Sequence, residues 1–237
     1  MYQVYKDEFP GYEEQPPLEP IKESFGVRER GPLRFEWSTM PPCPRVWFVK
    51  SGGQEVIQVQ RDRFLHNWRK MDSGDEYPSY EVCRGLFQSS LGTFLRFIEE
   101  HQCGAWVRNQ CELTYVNHVR ADDGAWTQHG KIGAVVRAWR DLEDPVPETI
   151  NIAMQYVIQG ENREPLGRVH CSLKPKWRLP EHSPILECAL TGRGKPLGPT
   201  IDGVLRFLDL GHEWERKVFL AVTSDAIQKA WGMSWSS

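Results

Sequence analysis

The chain has no apolar run approaching the roughly 18 to 20 residues that span a bilayer, so no membrane helix is expected. Its beginning, MYQVYKDEFPGYEEQPP, does not set an apolar stretch behind a basic one as a secretory leader does, and the cytosol is the expected compartment. A dominant charge is also missing: 29 Lys and Arg against 32 Asp and Glu leave a formal net charge of −3. Binding a polyanion would therefore need a local patch. The six cysteines, at 43, 83, 103, 111, 171 and 188, form no C-x-x-C pair and no tight grouping with histidine, which argues against structural zinc and for reduced, inert thiols. Neither a Walker A loop nor a Rossmann G-x-G-x-x-G is present. No metal and no cofactor is expected.

What is present is the composition of a globular protein, 40% hydrophobic and 26% charged over 237 residues, with ten tryptophans whose large amphipathic rings suit a core or a recognition surface. Residues 1–24 mix Pro10, Pro16, Pro17 and Pro20 with Glu13, Glu14, Glu19 and Glu23 and read as an extended arm, its aromatics Tyr2, Tyr5, Phe9 and Tyr12 anchoring it on the body or on a partner. Leu33, Phe35 and Trp37 alternate with Arg34 and Glu36 as in a half-buried strand. RVWFVK, a Ser51-Gly52-Gly53 turn and QEVIQVQ read as a hairpin, with RDRFLHNWR continuing the meander.

Apolar residues from Val82 through Leu86, Phe87, Leu91, Phe94, Leu95 and Ile98 recur at helical spacing, opening at Tyr77-Pro78-Ser79 and ending near Cys103-Gly104. CELTYVNHV is a strand, residues 121–130 a loop, and KIGAVVRAWRDL fits either strand or helix. Beyond Asp144, Pro145 and Pro147 comes a second meander: ETINIAMQYVIQG, with Ile150, Ile152, Met154, Tyr156 and Ile158 on one side, then GRVHCSLKPKW and ILECALTG. Two helices close the chain, TIDGVLRFLDLGHEWERKVFLAV and SDAIQKAWG with Ser224 as N-cap. The expected fold class is α+β, with two β-meander-then-helix halves, 25–143 and 148–233, built on largely antiparallel sheets packed by long helices, as separate domains or one integrated body.

The stretches QVQRDRFLHNWRK, YPSYEVCRGLF, ELTYVNHV and FLDLGHEWERKVFLAVTSDAIQKAW, in this order, resemble a sporadically distributed prokaryotic family of similar length without an assigned activity. The resemblance runs from about Phe25 to Trp231. It is carried by Gln60, Arg61, Asp62, Arg63, Phe64, Asn67, Trp68 and Arg69, by Tyr77, Pro78 and Phe87, by Tyr115 and Asn117, and by Asp209, His212, Glu213, Phe219 and Trp231. It implies a cytosolic bacterial or archaeal protein distributed as genes for antiviral defence, toxin–antitoxin or mobile-element functions are. No catalytic residue is carried over with it.

Five groups of residues are weighed as candidates for function. Asp209 and His212 lie one turn apart on a helix, where a carboxylate can orient an imidazole. Structural hydrogen bonding explains the pair without a nucleophile. Asn117 shares the parity of Tyr115 and puts an amide where a strand presents an apolar residue, which fixes register or faces a cavity. Arg61, Arg63 and Arg69, with Trp68, form the most basic and aromatic segment, the mixture that pairs with phosphates and stacks on bases. Gly192-Arg193-Gly194-Lys195 reads as a turn before a helix, the phosphate-loop spacing being absent, and Trp235 is an aromatic end beyond the last helix. The reading adopted is a non-catalytic binding protein whose partner is another protein: an adaptor, an antitoxin-like neutraliser of a toxin or effector, or a subunit of a defence complex, with the N-terminal arm and the Trp-containing C-terminal end as the expected binding surfaces. The rivals are a small-ligand sensor or enzyme with a pocket lined by Tyr115, Asn117, Trp68 and His212, and a single-stranded nucleic-acid binder using Arg61, Arg63, Trp68 and Arg69.

Overall fold

The computed structural model describes residues 1–25, 43–72, 74–121 and 126–230. It is α+β, with two four-stranded antiparallel sheets, each followed in the chain by a long helix. Two compact units divide at Val107 and Arg108. The expected division near residues 144–147 is corrected by strand pairing: the strand from CELTYVNHV takes its partner from the second sheet, so it cannot belong with the first half. The predicted strand at Leu33–Trp37 lies outside the described residues.

The first unit contains α1 (Tyr2–Tyr5), β1 (Gly11–Gln15), β2 (Arg45–Val49), β3 (Glu55–Gln60), β4 (Arg63–Trp68) and α2 (Tyr80–Glu100), with sheet order β1-β2-β3-β4. The β2–β3 turn carries Gly52 and Gly53 at φ 93 and 81, angles that glycine adopts without a side-chain clash. The expectation of an extended arm over 1–24 is corrected. The prolines flank residues 11–15 without entering them, so this window keeps every amide and pairs with β2 at the sheet edge. Tyr5 and Phe9 are buried against Phe48 and Ile57, and Phe64 of β4 meets Phe87 and Phe94 of α2 at ring distances of 6.2 and 5.0 Å.

Ser79 caps α2 by accepting from the Val82 amide, which puts Pro78 just outside the helix. Its other end is not closed by Gly104 as the sequence suggests. Gln102 takes the left-handed conformation at φ 50, and the amides of Gln102 and Cys103 donate to the carbonyls of Glu99 and Ile98. These two bonds form a Schellman cap built without glycine.

The second unit contains β5 (Cys111–Arg120), β6 (Ile152–Gln159), β7 (Pro165–Arg178), β8 (Ser183–Gly194), α3 (Ile201–Val222) and α4 (Asp225–Ala230). Its sheet order is β5-β8-β7-β6: the meander β6–β7–β8 is completed by β5 on the far side of β8. One face carries Val119, Leu186, Cys188, Leu190, Val169, Cys171, Leu173 and Ile158, all buried, and α3 packs against the same sheet with Phe207, Leu208, Val218 and Phe219. Gly192 and Gly194, expected in a turn, are strand residues. A Cβ on Gly194 would overlap the Phe207 ring and the Leu166 carbonyl, so the missing side chain lets α3 approach the sheet.

The ambiguous stretch around residues 131–142 is neither strand nor helix. It turns repeatedly, buries Ile132, Val135 and Val136, and ties itself to the α3–α4 junction through Arg137 N–H to the Val222 carbonyl and Ser224 N–H to the Val135 carbonyl. Asp141 holds the loop by accepting from the Gly133 amide at 2.9 Å.

Candidate functional site

In the second unit α3 and β5 bring together a set of polar side chains inside the helix–sheet layer. Alternation along β5 turns Tyr115 and Asn117 to the same half-buried face as buried Cys111 and Val119. Tyr115 Oη and His212 Nδ1 share a hydrogen bond of 3.1 Å, their rings 5.8 Å apart. Asp209 stands half-buried one turn before His212. Asn117 lies opposite Cys188 in register.

One turn beyond His212 is Glu215, a residue the sequence reading passed over. It is 1% exposed. Its Oε1 accepts a short hydrogen bond from the Gly192 amide, while its Oε2 is buried without a partner. Burial pushes its carboxyl up to about 9, the Glu112 carboxylate adding to the effect and the Gly192 amide opposing it. Glu215 is therefore a neutral acid at pH 7. The signal for it was present in the spacing: Leu208, Gly211, Glu215, Val218 and Val222 follow one buried stripe, with the carboxylate inserted in it. Gly192 lets strand and helix come close here: a Cβ on it would lie 2.9 Å from Glu215 Oε1 and 3.5 Å from Gly211 Cα, whereas a Cβ on Gly211 would meet nothing within 4 Å.

In the first unit, Ser90, His66 and Glu55 line up in the order of a nucleophile, base and acid, with Ser90 Oγ 3.0 Å from His66 Nδ1 and His66 Nε2 3.7 Å from Glu55 Oε2. The proton directions rule against that role. Ser90 Oγ donates to the Leu86 carbonyl at 2.8 Å, so it accepts from His66 Nδ1–H and is not deprotonated by it. That tautomer leaves His66 Nε2 facing Glu55 Oε2 as acceptor to acceptor, and both atoms are buried without hydrogen bonds. Burial holds His66 below the usual imidazole range, against the pull of Glu55.

The basic segment proposed for nucleic acid does not form one surface. Arg61 sits in the β3–β4 turn. Arg63 pairs with Asp62 at 3.0 Å and donates to the Glu19 carbonyl. Arg69 donates to the Gly53 carbonyl at 2.8 Å and stands over the Trp47 ring. Trp68, of opposite strand parity to Arg63, packs edge-on against Tyr77 at 5.1 Å. Trp68 belongs to the first unit, whereas Tyr115, Asn117 and His212 belong to the second. Trp235 lies outside the described residues.

An open groove of about 420 Å³ lies elsewhere in the second unit, lined by Thr127–Gly130, Val146–Glu148, Trp177 and Pro184. Trp177 is 59% exposed and Leu179, just beyond it, 69%. His129 meets the Trp177 ring at 4.7 Å and 70°, and its other neighbour is the buried Trp126 ring at 5.6 Å. His129 Nε2 lies 3.0 Å from the Lys176 carbonyl; a carbonyl only accepts, so Nε2 carries the proton and the ring is fixed.

All six cysteines are free thiols, and burial pushes Cys111 up to about 12. Among the described residues no cluster of three His, Cys, Asp or Glu is arranged to hold a metal ion, and no helix is long and apolar enough to cross a membrane. The chain matches no model of a known protein family, no curated protein and no solved structure.

Proposed function

We propose that this chain is a non-catalytic binding protein that docks another protein at the groove beside Trp177. The observation carrying this reading is the placement of the large, exposed Trp177 side chain in an open groove edged by Val146, Pro147 and Pro184, with Leu179, also exposed, two residues further along the chain. Exposed apolar side chains clustered around a cleft mark interaction surfaces, and tryptophan is enriched among residues that carry binding energy. The inner polar groups support the same reading from the other side: Tyr115 and His212 bond to each other across the helix–sheet layer, which makes them a brace. An adaptor, an antitoxin-like neutraliser or a subunit of a defence complex are the roles proposed for such a module, and the support for these is the resemblance of its four sequence blocks alone.

The test is affinity purification from the native host of the wild-type chain and of Trp177→Ala in parallel, with mass spectrometry of what co-elutes. A partner recovered in fixed ratio with the wild type and lost with the variant is expected. A wild-type chain that elutes alone, or a partner held equally by both, refutes the reading.

One observation favours a second reading, a small-ligand sensor: Oε2 of Glu215 is buried without a hydrogen-bond partner. A ligand-induced rise in melting temperature across a metabolite panel, abolished in Glu215→Gln, would support it. No rise with any compound would remove it.

A further inference from the structure

We infer that the groove beside Trp177 receives a cationic side chain, lysine or arginine, from the docked protein; the inference rests on the docking reading above and names the chemistry of its occupant. Among the described residues of the lining, the only side chain with a fixed charge is the carboxylate of Glu148. It belongs to the exposed loop 142–148, whose sequence LEDPVPE adds Glu143 and Asp144 and contains no lysine or arginine. The groove therefore opens beside a run of negative charge. The lining also holds the Trp177 indole, 59% exposed although the His129 ring meets it at 4.7 Å, and an exposed indole is the group whose ring quadrupole holds a guanidinium or ammonium.

The remaining contacts suit the rest of such a side chain. Val146, Pro147 and Pro184 offer apolar surface for an aliphatic stem. His129, its Nε2–H committed to the Lys176 carbonyl, is left with Nδ1 as an acceptor in the neutral ring. The two cations that flank Trp177 in β7 are engaged elsewhere: Lys176 Nζ pairs with Glu187 on the opposite parity of the strand, and Arg178 is paired with Glu181 at 3.8 Å. An acidic or uncharged apolar occupant would leave Glu148 repelled or desolvated without a partner.

The experiment is panning of a displayed random dodecapeptide library on the full chain, followed by affinity measurement of synthetic copies of the enriched peptides. Wild type, Trp177→Leu, Trp177→Phe and Glu148→Gln are compared, each first checked for the wild-type melting curve. Enriched peptides are expected to share a lysine or arginine. Their affinity should fall about five- to thirtyfold in Trp177→Leu and less in Trp177→Phe, the range that cation–π contacts span. Glu148→Gln should weaken them and flatten their dependence on salt. Trp177-dependent peptides lacking any cation, or insensitive to Glu148→Gln, overturn the inference and leave the docking reading standing. No Trp177-dependent peptide at all overturns both.

Discussion

Replacing Glu215 by glutamine keeps the shape of the side chain and the Oε1 acceptor for the Gly192 amide, and removes only the titration. The folded state raises this carboxyl from 4.5 to about 9. Between those values the folded chain keeps a proton that the unfolded chain has released. Stability contributed at this site therefore falls as pH rises through that window and levels off above about 9, the folded value. Each pH unit is worth about 1.4 kcal/mol. At pH 7, about 2.5 units above the ordinary value, retaining Glu215 costs on the order of 3 kcal/mol relative to a side chain that never ionises. The amide of glutamine inherits the unpartnered position of Oε2, and that penalty is similar to the one the protonated acid already bears.

Glu215→Gln should accordingly stabilise the second unit by about 2–3 kcal/mol at pH 7, a rise in its melting temperature of roughly 5–10 °C. The gain should shrink toward zero near pH 5 and grow toward pH 9. Urea unfolding followed at several pH values reads it directly, with the transition of the second unit separated from that of the first. A variant that is less stable than wild type at pH 7, or whose advantage is the same at pH 5 and pH 9, refutes the reasoning.

His66 predicts a slope of the other sign. Its folded-state value is depressed, so the unfolded chain takes up a proton first and stability of the first unit should fall as pH drops below the usual imidazole range, a slope that His66→Gln removes in the same titration. Gln102→Gly, at the left-handed residue ending α2, should raise stability by roughly 0.5–1 kcal/mol, read by thermal unfolding. Gly194→Ala should lower stability by about 1–3 kcal/mol or more because the new methyl group meets Phe207 and a backbone carbonyl, whereas Gly211→Ala, facing open space in a helix, should gain up to about 1 kcal/mol.

Where pattern and packing agreed, the fold was legible in the sequence. Ile152, Met154, Tyr156 and Ile158 share one face of β6, and the stripe around Leu91 runs along one helix, because alternation and helical spacing report local periods directly. Pairing over distance was less legible. Nothing within CELTYVNHV says that its neighbour is the strand ending at Gly194, and this one pairing moved the unit boundary from the prolines near 145 to Val107. β1 was hidden by the prolines on either side of it. The site was legible in part: Tyr115 and His212 do meet, but the carboxylate nearest the sheet is Glu215, concealed within a run of charged residues whose stripe position was not followed. Trp177 gave no warning of its exposure, since parity assigns a face but not how far the covering helix extends along it.

That extent bears directly on function. Gly167 and Gly194 face each other across β7 and β8 and admit the Phe207 ring, so α3 lies close against this end of the sheet. Trp177 pairs with Pro184 ten residues further along the same ladder, a distance of about 33 Å at ordinary strand rise. Close seating at the glycines leaves little room for a large ligand between helix and sheet. At the other end the same hairpin presents an indole, an exposed leucine and the rim of a groove. A Tyr115–His212 bond within the layer and an exposed indole at the groove together favour the edge as the place of recognition, and this makes Trp177, and not His212, the residue whose substitution should abolish partner binding while the unfolding transition stays in place.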